Sequence, residues 1–136
     1  MNYQELREKN SQEITAFPVR FAFSDGQLND IMQEWNIEKD KLCGVGAGAV
    51  VRKSDAKKYY KMFENMNARL EKALKNDKFL TDALRYELDN HEFTYTYSVD
   101  SALDALGLDS NNLTEREERC LKVAKKQCID WQEKHG

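Results

Sequence analysis

The stretch FLTDALRYELDNHEFTYTY, residues 79–97, decides the fold that this sequence predicts. Its first half repeats apolar residues at helical spacing, which predicts an amphipathic helix. Its second half alternates Phe93, Tyr95 and Tyr97 with threonines, which is the period of a β-strand with one apolar face. The stretch therefore predicts a helix that passes directly into a short strand, with His91 at the junction.

Two more strands and several helices are predicted from the rest of the chain. Apolar residues alternate over 17–23 and a second apolar run covers 45–52, so both ranges are predicted as strands. Capping residues and helical spacing predict helices over 2–16, from Ser24, over 54–75 and twice after residue 97. The elements do not alternate regularly. The sequence therefore predicts an α+β fold, a single domain over residues 1–136 with a small three-stranded sheet covered by about five or six helices.

The apolar faces of these elements also predict the core. Five residues are expected to be buried: Phe21, Trp35, Phe63, Leu70 and Leu84. The helix over 54–75 is expected to pack on the sheet, and the tyrosines of the predicted strand 92–97 are interpreted as core residues. The substitution Phe63→Ala is expected to cost about 3–5 kcal/mol, the usual penalty for truncating a large core side chain.

Three glycines, at positions 44, 46 and 48, alternate with other residues at the start of the predicted strand 45–52. In an extended chain they lie on one face, which therefore has no side chains. One interpretation is a backbone surface left bare for a ligand. The other is that a helix packs closely over the bare face, or that the strand kinks there. A phosphate-binding loop is not favoured, because such a loop leads straight into a helix N-terminus and here Ala49, Val50 and Val51 intervene.

Composition indicates an ordered protein of the cytoplasm. The 136 residues are 40% hydrophobic and 33% charged, which is sufficient for one core and is not typical of disorder. No apolar run is long enough to span a bilayer, and the first ten residues lack the apolar core of a signal peptide. The three cysteines form no CxxC pair. Cys120 and Cys128 lie on the apolar stripe of the last predicted helix and are interpreted as core residues.

The negative charge is concentrated in the middle of the chain. Residues 77–118 contain 11 acidic and 3 basic side chains, although the whole chain has a net charge of only −3. We interpret the acidic middle as a surface that binds a protein partner, and its candidate residues are Asp82, Glu87, Asp89 and Glu92. Such a surface would speed association with a positively charged protein, for example one that handles nucleic acid.

This interpretation describes a non-enzymatic interaction protein, for which we expect no catalytic residue, no cofactor and no membrane association. The main alternative is a small enzyme or a metal-dependent site centred on Glu87, His91 and Glu92, because Glu87 and His91 have the i, i+4 spacing that can hold a metal on a helix. His91 can equally serve as a structural residue at the helix C-terminus. We expect it to form a hydrogen bond there.

A third alternative is nucleic-acid binding through the range Arg52–Lys61. This range contains Arg52, Lys53, Lys57, Lys58 and Lys61. We rank this alternative last and expect no direct contact with nucleic acid, because an acidic residue interrupts the range and the net charge of the chain is negative.

Four segments carry a family resemblance: FAFSDGQ (21–27), GVGAGAVVRKSD (44–55), YELDNHEFTY (86–95) and ALDALGL (102–108). With these segments the chain resembles a family of small uncharacterised proteins encoded by bacterial phages and other mobile elements. The resemblance covers most of the chain, and its most specific part lies between Tyr86 and Glu92. It implies a bacterial or phage cytoplasmic setting, and it implies no assigned activity and no functional residue.

Overall fold

The computed structural model describes all residues from 1 to 136, which form seven α-helices and three β-strands. In chain order these are α1 (Tyr3–Ala16), β1 (Arg20–Phe21), α2 (Asp25–Trp35), β2 (Leu42–Gly46), β3 (Ala49–Arg52), α3 (Ala56–Ala73), α4 (Asp77–Asn90), α5 (Phe93–Thr96), α6 (Asp100–Ala105) and α7 (Glu115–His135). The predicted α+β class is confirmed. None of the helices combines the length and the continuous apolar surface that a membrane crossing requires.

The chain divides into two compact units, one formed by residues 1–9 and 68–136 and the other by residues 10–67. The single domain predicted over residues 1–136 stays a prediction. In the first unit, α4 is the central helix, and it packs against α5, α6 and α7. Its buried side chains include Leu84 and Leu88, which are fully enclosed. The helix predicted from the spacing over 79–88 is therefore confirmed, and it forms the centre of the larger hydrophobic core.

Some helices begin at side-chain caps, Ser24 for α2 and Thr114 for α7, whereas the helix predicted over 54–75 begins only at Ala56, after a 3-10 turn. Asn76 accepts a hydrogen bond from the backbone N–H of Phe79 at the start of α4. Thr114 and Glu117 form a reciprocal capping box at the start of α7, in which each side chain accepts a hydrogen bond from the other residue's backbone N–H. Cys120 and Cys128 of α7 are buried, as predicted. Burial raises the pKa of the Cys128 thiol to about 12, so this thiol stays protonated and inert at neutral pH.

The sheet lies in the second unit and has the antiparallel order β1-β3-β2. The count of three strands is confirmed, but their positions differ from the prediction. The predicted strand 45–52 is wrong as a single element, because it contains the end of β2, a turn and β3. Ala47 and Gly48 both have positive φ angles, 51° and 80°. Two such residues form the tight turn that matches the twist of a hairpin, so the chain reverses there.

The predicted strand 17–23 is also shorter than expected. Only Arg20 and Phe21 pair with β3, and the backbone N–H of Ala22 adds one bond to the carbonyl of Gly48. Pro18 lacks a backbone N–H and cannot donate a hydrogen bond to a neighbouring strand, so the strand does not extend back to residue 17. Phe21 is 57% exposed, so the prediction that it belongs to the core is wrong.

The aromatic strand predicted at 92–97 is absent. Residues 93–96 form the short helix α5 instead, and it lies between Glu92 and Tyr97, which both adopt left-handed backbone conformations. Phe93 is fully buried, whereas Tyr95 and Tyr97 are exposed. The interpretation of both tyrosines as core residues is wrong. Tyr95, two residues after Phe93, points to the opposite side of the helical turn, and Tyr97 lies at its end, where its ring contacts that of Phe93 but stays 68% exposed.

The remaining core predictions are only partly confirmed. Leu84 is fully buried, whereas Trp35, Phe63 and Leu70 are half-buried. Trp35 lies under the guanidinium group of Arg52, whose central carbon is 4.3 Å from the ring centroid. Phe63 is only partly buried, and the cost of about 3–5 kcal/mol expected for Phe63→Ala stays a prediction.

Candidate functional site

The most unusual buried group is the carboxylate of Glu87 on α4, whose side chain is only 2% exposed. Its Oε1 atom accepts a hydrogen bond from Nη1 of Arg7 at 2.7 Å and another from the hydroxyl of Tyr3 at 3.1 Å. Its Oε2 atom lies 3.4 Å from Nε2 of His91. We call these residues, together with Tyr86, the Glu87 centre. A buried carboxylate with this many donors is compensated for the loss of water.

Tyr3 and Arg7, the two residues from α1, also contact the aromatic ring of Tyr86. The guanidinium carbon of Arg7 lies 4.8 Å from the ring centroid of Tyr86, and the ring of Tyr3 meets that of Tyr86 edge-on at 5.5 Å. Burial and the neighbouring Glu87 carboxylate raise the pKa of Tyr3 above its ordinary value, so its hydroxyl keeps the proton that it donates. Burial alone would lower the pKa of Arg7, but the facing groups raise it overall. Arg7 is therefore a permanent cation beside Glu87.

His91 caps the C-terminus of α4, as one interpretation of the sequence predicted. Its backbone N–H donates to the carbonyl oxygen of Glu87 at 3.0 Å, and its ring stays partly exposed. No group of three or more His, Cys, Asp or Glu side chains that could hold a metal ion forms anywhere in the chain. Arg7 supplies beside Glu87 the positive charge that a metal would otherwise bring. The geometry of the Glu87 centre is thus that of a structural ion-pair network.

The four acidic candidates for partner binding do not share one environment. Glu87 is buried, so it does not belong to an exposed acidic surface. Asp82 and Asp89 are exposed and lie two turns apart on one face of α4, and Asp89 is paired with Arg85 at 3.1 Å. Glu92 is exposed at the junction, where its φ angle is 58°. The enzyme alternative needs Glu92 beside Glu87 and His91, but its side chain forms no hydrogen bond or ion pair with either.

The exposed acidic residues continue beyond α4 and surround two exposed aromatic rings. Residues 86–109, which we call the acidic–aromatic segment, contain no lysine or arginine. Besides buried Glu87 they contain five exposed acidic residues: Asp89, Glu92, Asp100, Asp104 and Asp109. Tyr95 is 76% exposed and Tyr97 is 68% exposed. Three cations from other parts of the chain lie close to the segment: Arg7 pairs with buried Glu87, Arg85 pairs with Asp89, and Nζ of Lys125 lies 5.9 Å from the ring centroid of Phe93.

The backbone of this segment is held in a strained conformation. Glu92 and Tyr97 have φ angles of 58° and 57°, in the left-handed region that non-glycine residues rarely adopt. Each such residue costs about 1–2 kcal/mol. The surrounding structure tolerates this because Phe93, between them, is anchored in the core and its ring meets that of Tyr97 at 5.7 Å. Strain of this kind is concentrated at functional sites.

The glycines of the hairpin do not lie under a helix. A Cβ atom at Gly44 would meet nothing within 4 Å, and the position opens onto a cleft of about 410 Å³ in the second unit. The ring of Phe23 covers Gly48 instead, so closely that a Cβ there would lie 2.3 Å from a ring carbon. The prediction that a helix packs over these glycines is therefore wrong: a single ring from outside the helices covers Gly48, and Gly44 is left bare.

Several residues of these sites were not found from the sequence. Tyr3, Arg7 and Tyr86 belong to the Glu87 centre, but Arg7 and Glu87 are 80 residues apart and no spacing rule connects them. For Tyr95 and Tyr97 the alternation of residues predicts the core, whereas both rings are exposed. The density of acidic and polar residues around the two tyrosines is not typical of a core strand, and this signal favours an exposed position.

Comparison with known families identifies a match over most of the chain. Residues 2–130 match DUF7659, a family of unknown function, and the chain belongs to this family. Searches of curated proteins and of solved structures find no match.

Proposed function

We propose that this chain is a protein-interaction module that binds a basic segment of a partner protein through its acidic–aromatic segment. The observation that carries the proposal is the exposure of Tyr95, on the short helix α5, and of Tyr97, at its end, where the flanking backbone is strained. Aromatic side chains are enriched in the energetically important centres of protein interfaces. A fold that accepts strain and leaves two large rings in water is best explained if a partner covers them.

The chemistry of the partner follows from the charge of the segment. Five exposed carboxylates and no lysine or arginine within residues 86–109 favour a positively charged occupant. Arginine fits best, because its guanidinium group can stack on a tyrosine ring and form paired hydrogen bonds with a carboxylate. The resemblance to proteins of phages and mobile elements favours a host protein as the source of that segment, for example a basic protein that handles nucleic acid.

A direct test uses a fluorescent arginine-rich peptide and measures its affinity for the purified protein. The double variant Tyr95→Ser/Tyr97→Ser should weaken binding about tenfold or more, since buried interface aromatics dominate affinity. Tyr60→Ser is the matched control, because Tyr60 is an exposed tyrosine outside the segment. It should leave the affinity unchanged. If both variants behave alike, or if the peptide does not bind, the proposal is wrong.

Charge reversal provides an independent test of the same proposal. Glu92→Lys with Asp100→Lys should slow association, and the effect should shrink as salt rises, because exposed charges are screened within about 8 Å at physiological ionic strength. Glu8→Lys with Asp30→Lys changes the net charge equally and lies outside the segment. Equal slowing by both pairs would show that only the total charge matters.

A further inference from the structure

A second surface, in the other compact unit, carries the opposite charge. Lys53, Lys57, Lys58 and Lys61 are all exposed, and Tyr60 between them is 55% exposed. We call these five residues the basic strip. Lys57 and Lys61 lie one turn apart on α3, and Lys58 lies one turn before Lys61 on its other side. Lys53 precedes them in the turn that leads into the helix.

The acidic residue that interrupts this range in the sequence does not interrupt it in the structure. Asp55 is the only acidic residue between positions 52 and 61. Its Oδ2 atom lies 3.9 Å from Nη1 of Arg52, and its side chain is mostly buried. Arg52 in turn stacks over Trp35. Asp55 is therefore paired with Arg52, and the interruption in the sequence does not divide the exposed lysines of the range.

The lysines have few competing partners. Glu64 lies 3.5 Å from Lys61, but both side chains are strongly exposed, and such a pair is worth only about 0–1 kcal/mol. Lys53, Lys57 and Lys58 form no ion pair. The first turn of α3 contains no acidic residue, so two lysines lie at the positive end of the helix dipole, each at a cost of about 0.3–1 kcal/mol at low salt. A bound anion would relieve this repulsion.

We propose that the basic strip binds single-stranded nucleic acid, with the lysines contacting phosphates and Tyr60 stacking on a base. Lysine is suited to phosphate as a point charge, and an exposed tyrosine between such charges is the combination that single-strand-binding surfaces use. A duplex would satisfy the lysines but would leave the tyrosine ring without a base to stack on. The proposal concerns a separate surface and does not depend on the function proposed above.

The expected strength of binding follows from the number of charges. Three or four phosphate contacts on a single strand predict a log–log salt slope of about −2 to −3, so affinity should fall about 20- to 50-fold between about 50 and 200 mM salt. The measurement is the fluorescence anisotropy of a short labelled single-stranded oligonucleotide of mixed sequence. An unlabelled duplex and vesicles that contain an anionic lipid serve as competitors.

Two variants and one control test the assignment of the site. The double variant Lys57→Glu/Lys58→Glu should weaken binding about tenfold or more and flatten the salt slope by about 0.7 for each lysine removed. The double variant should fold, because glutamates at a helix N-terminus are favourable. Lys9→Glu with Lys122→Glu, two exposed lysines of other helices, makes the same change in net charge and should leave the affinity almost unchanged.

The role of the tyrosine is tested separately. Tyr60→Ser should weaken single-strand binding at least about fivefold, the lower end of what one base–aromatic stack contributes. The proposal is overturned if no binding is seen at low salt, or if the strip variant and the control variant lose affinity equally. It is also overturned if duplex or vesicles compete as well as single strands and Tyr60→Ser has no effect, because the strip would then be a general polyanion surface.

Discussion

Removing Arg7 should destabilise the protein more than neutralising Glu87, although the two residues share one ion pair. The reason is the difference in their exposure. The Glu87 side chain is 2% exposed, whereas that of Arg7 is 45% exposed. If Arg7 is lost, a buried carboxylate remains without its closest counter-charge. If Glu87 is neutralised, the guanidinium group that remains can turn to water.

The magnitudes follow from the contacts. Breaking a buried pair by removing one partner costs about 3–5 kcal/mol. Arg7 is half-exposed, so water can enter the space that its side chain leaves and solvate the carboxylate. For Arg7→Ala we therefore expect a loss of unfolding free energy at the lower end of this range, about 3 kcal/mol. Glu87→Gln keeps an oxygen that accepts from Arg7 and Tyr3 and loses only the charge. Hydrogen bonds to charged groups contribute about 1 kcal/mol more than neutral ones, so we expect a loss of about 1–2 kcal/mol.

The assay is equilibrium unfolding in urea, followed by far-ultraviolet circular dichroism, for the wild type, both single variants and the double variant. The double variant should be more stable than Arg7→Ala alone, because no unpaired charge then stays buried. Arg20→Ala breaks the exposed pair between Arg20 and Glu34 and should cost no more than about 1 kcal/mol. The reasoning is refuted if Glu87→Gln costs as much as Arg7→Ala, or if the double variant is the least stable of the set.

Three further predictions concern other parts of the chain. Phe93→Ala should lower the free energy of unfolding by about 3–5 kcal/mol because the ring is fully buried, whereas Tyr95→Ala should change it by no more than about 0.5 kcal/mol. Thermal unfolding measures both losses, and comparable losses for the two variants would contradict the structure of α5. Gly48→Ala should destabilise the hairpin because φ is positive and the ring of Phe23 occupies the space, whereas Gly44→Ala should be neutral or stabilising; the order of their unfolding midpoints checks this. A thiol reagent at mildly alkaline pH should modify only Cys43 quickly in the native protein, because Cys120 and Cys128 are buried. Fast modification of more than one thiol would contradict the packing of α7.

The helices were predictable from the sequence because their signals are local. The spacing of apolar residues over 79–88 and the capping box at Thr114 act within one or two turns, and the structure confirms the helices that they predict. Burial of the cysteines in α7 follows from the same periodicity. The α+β class followed because three segments lacked helical spacing, although only two of those segments contribute strands.

The strands and the candidate sites depended on contacts that the sequence does not encode locally. Alternation over 92–97 has the period of a strand, but a strand needs a neighbour with which to form hydrogen bonds, and the packing of Phe93 against the helices of the first unit makes this segment a helical turn instead. The Glu87 centre joins residues from opposite parts of the chain. Glu87 pairs with Arg7, 80 residues away in the sequence. Only the tertiary structure determines whether such a carboxylate faces water or a distant residue of the chain, because its burial depends on how all the surrounding helices pack.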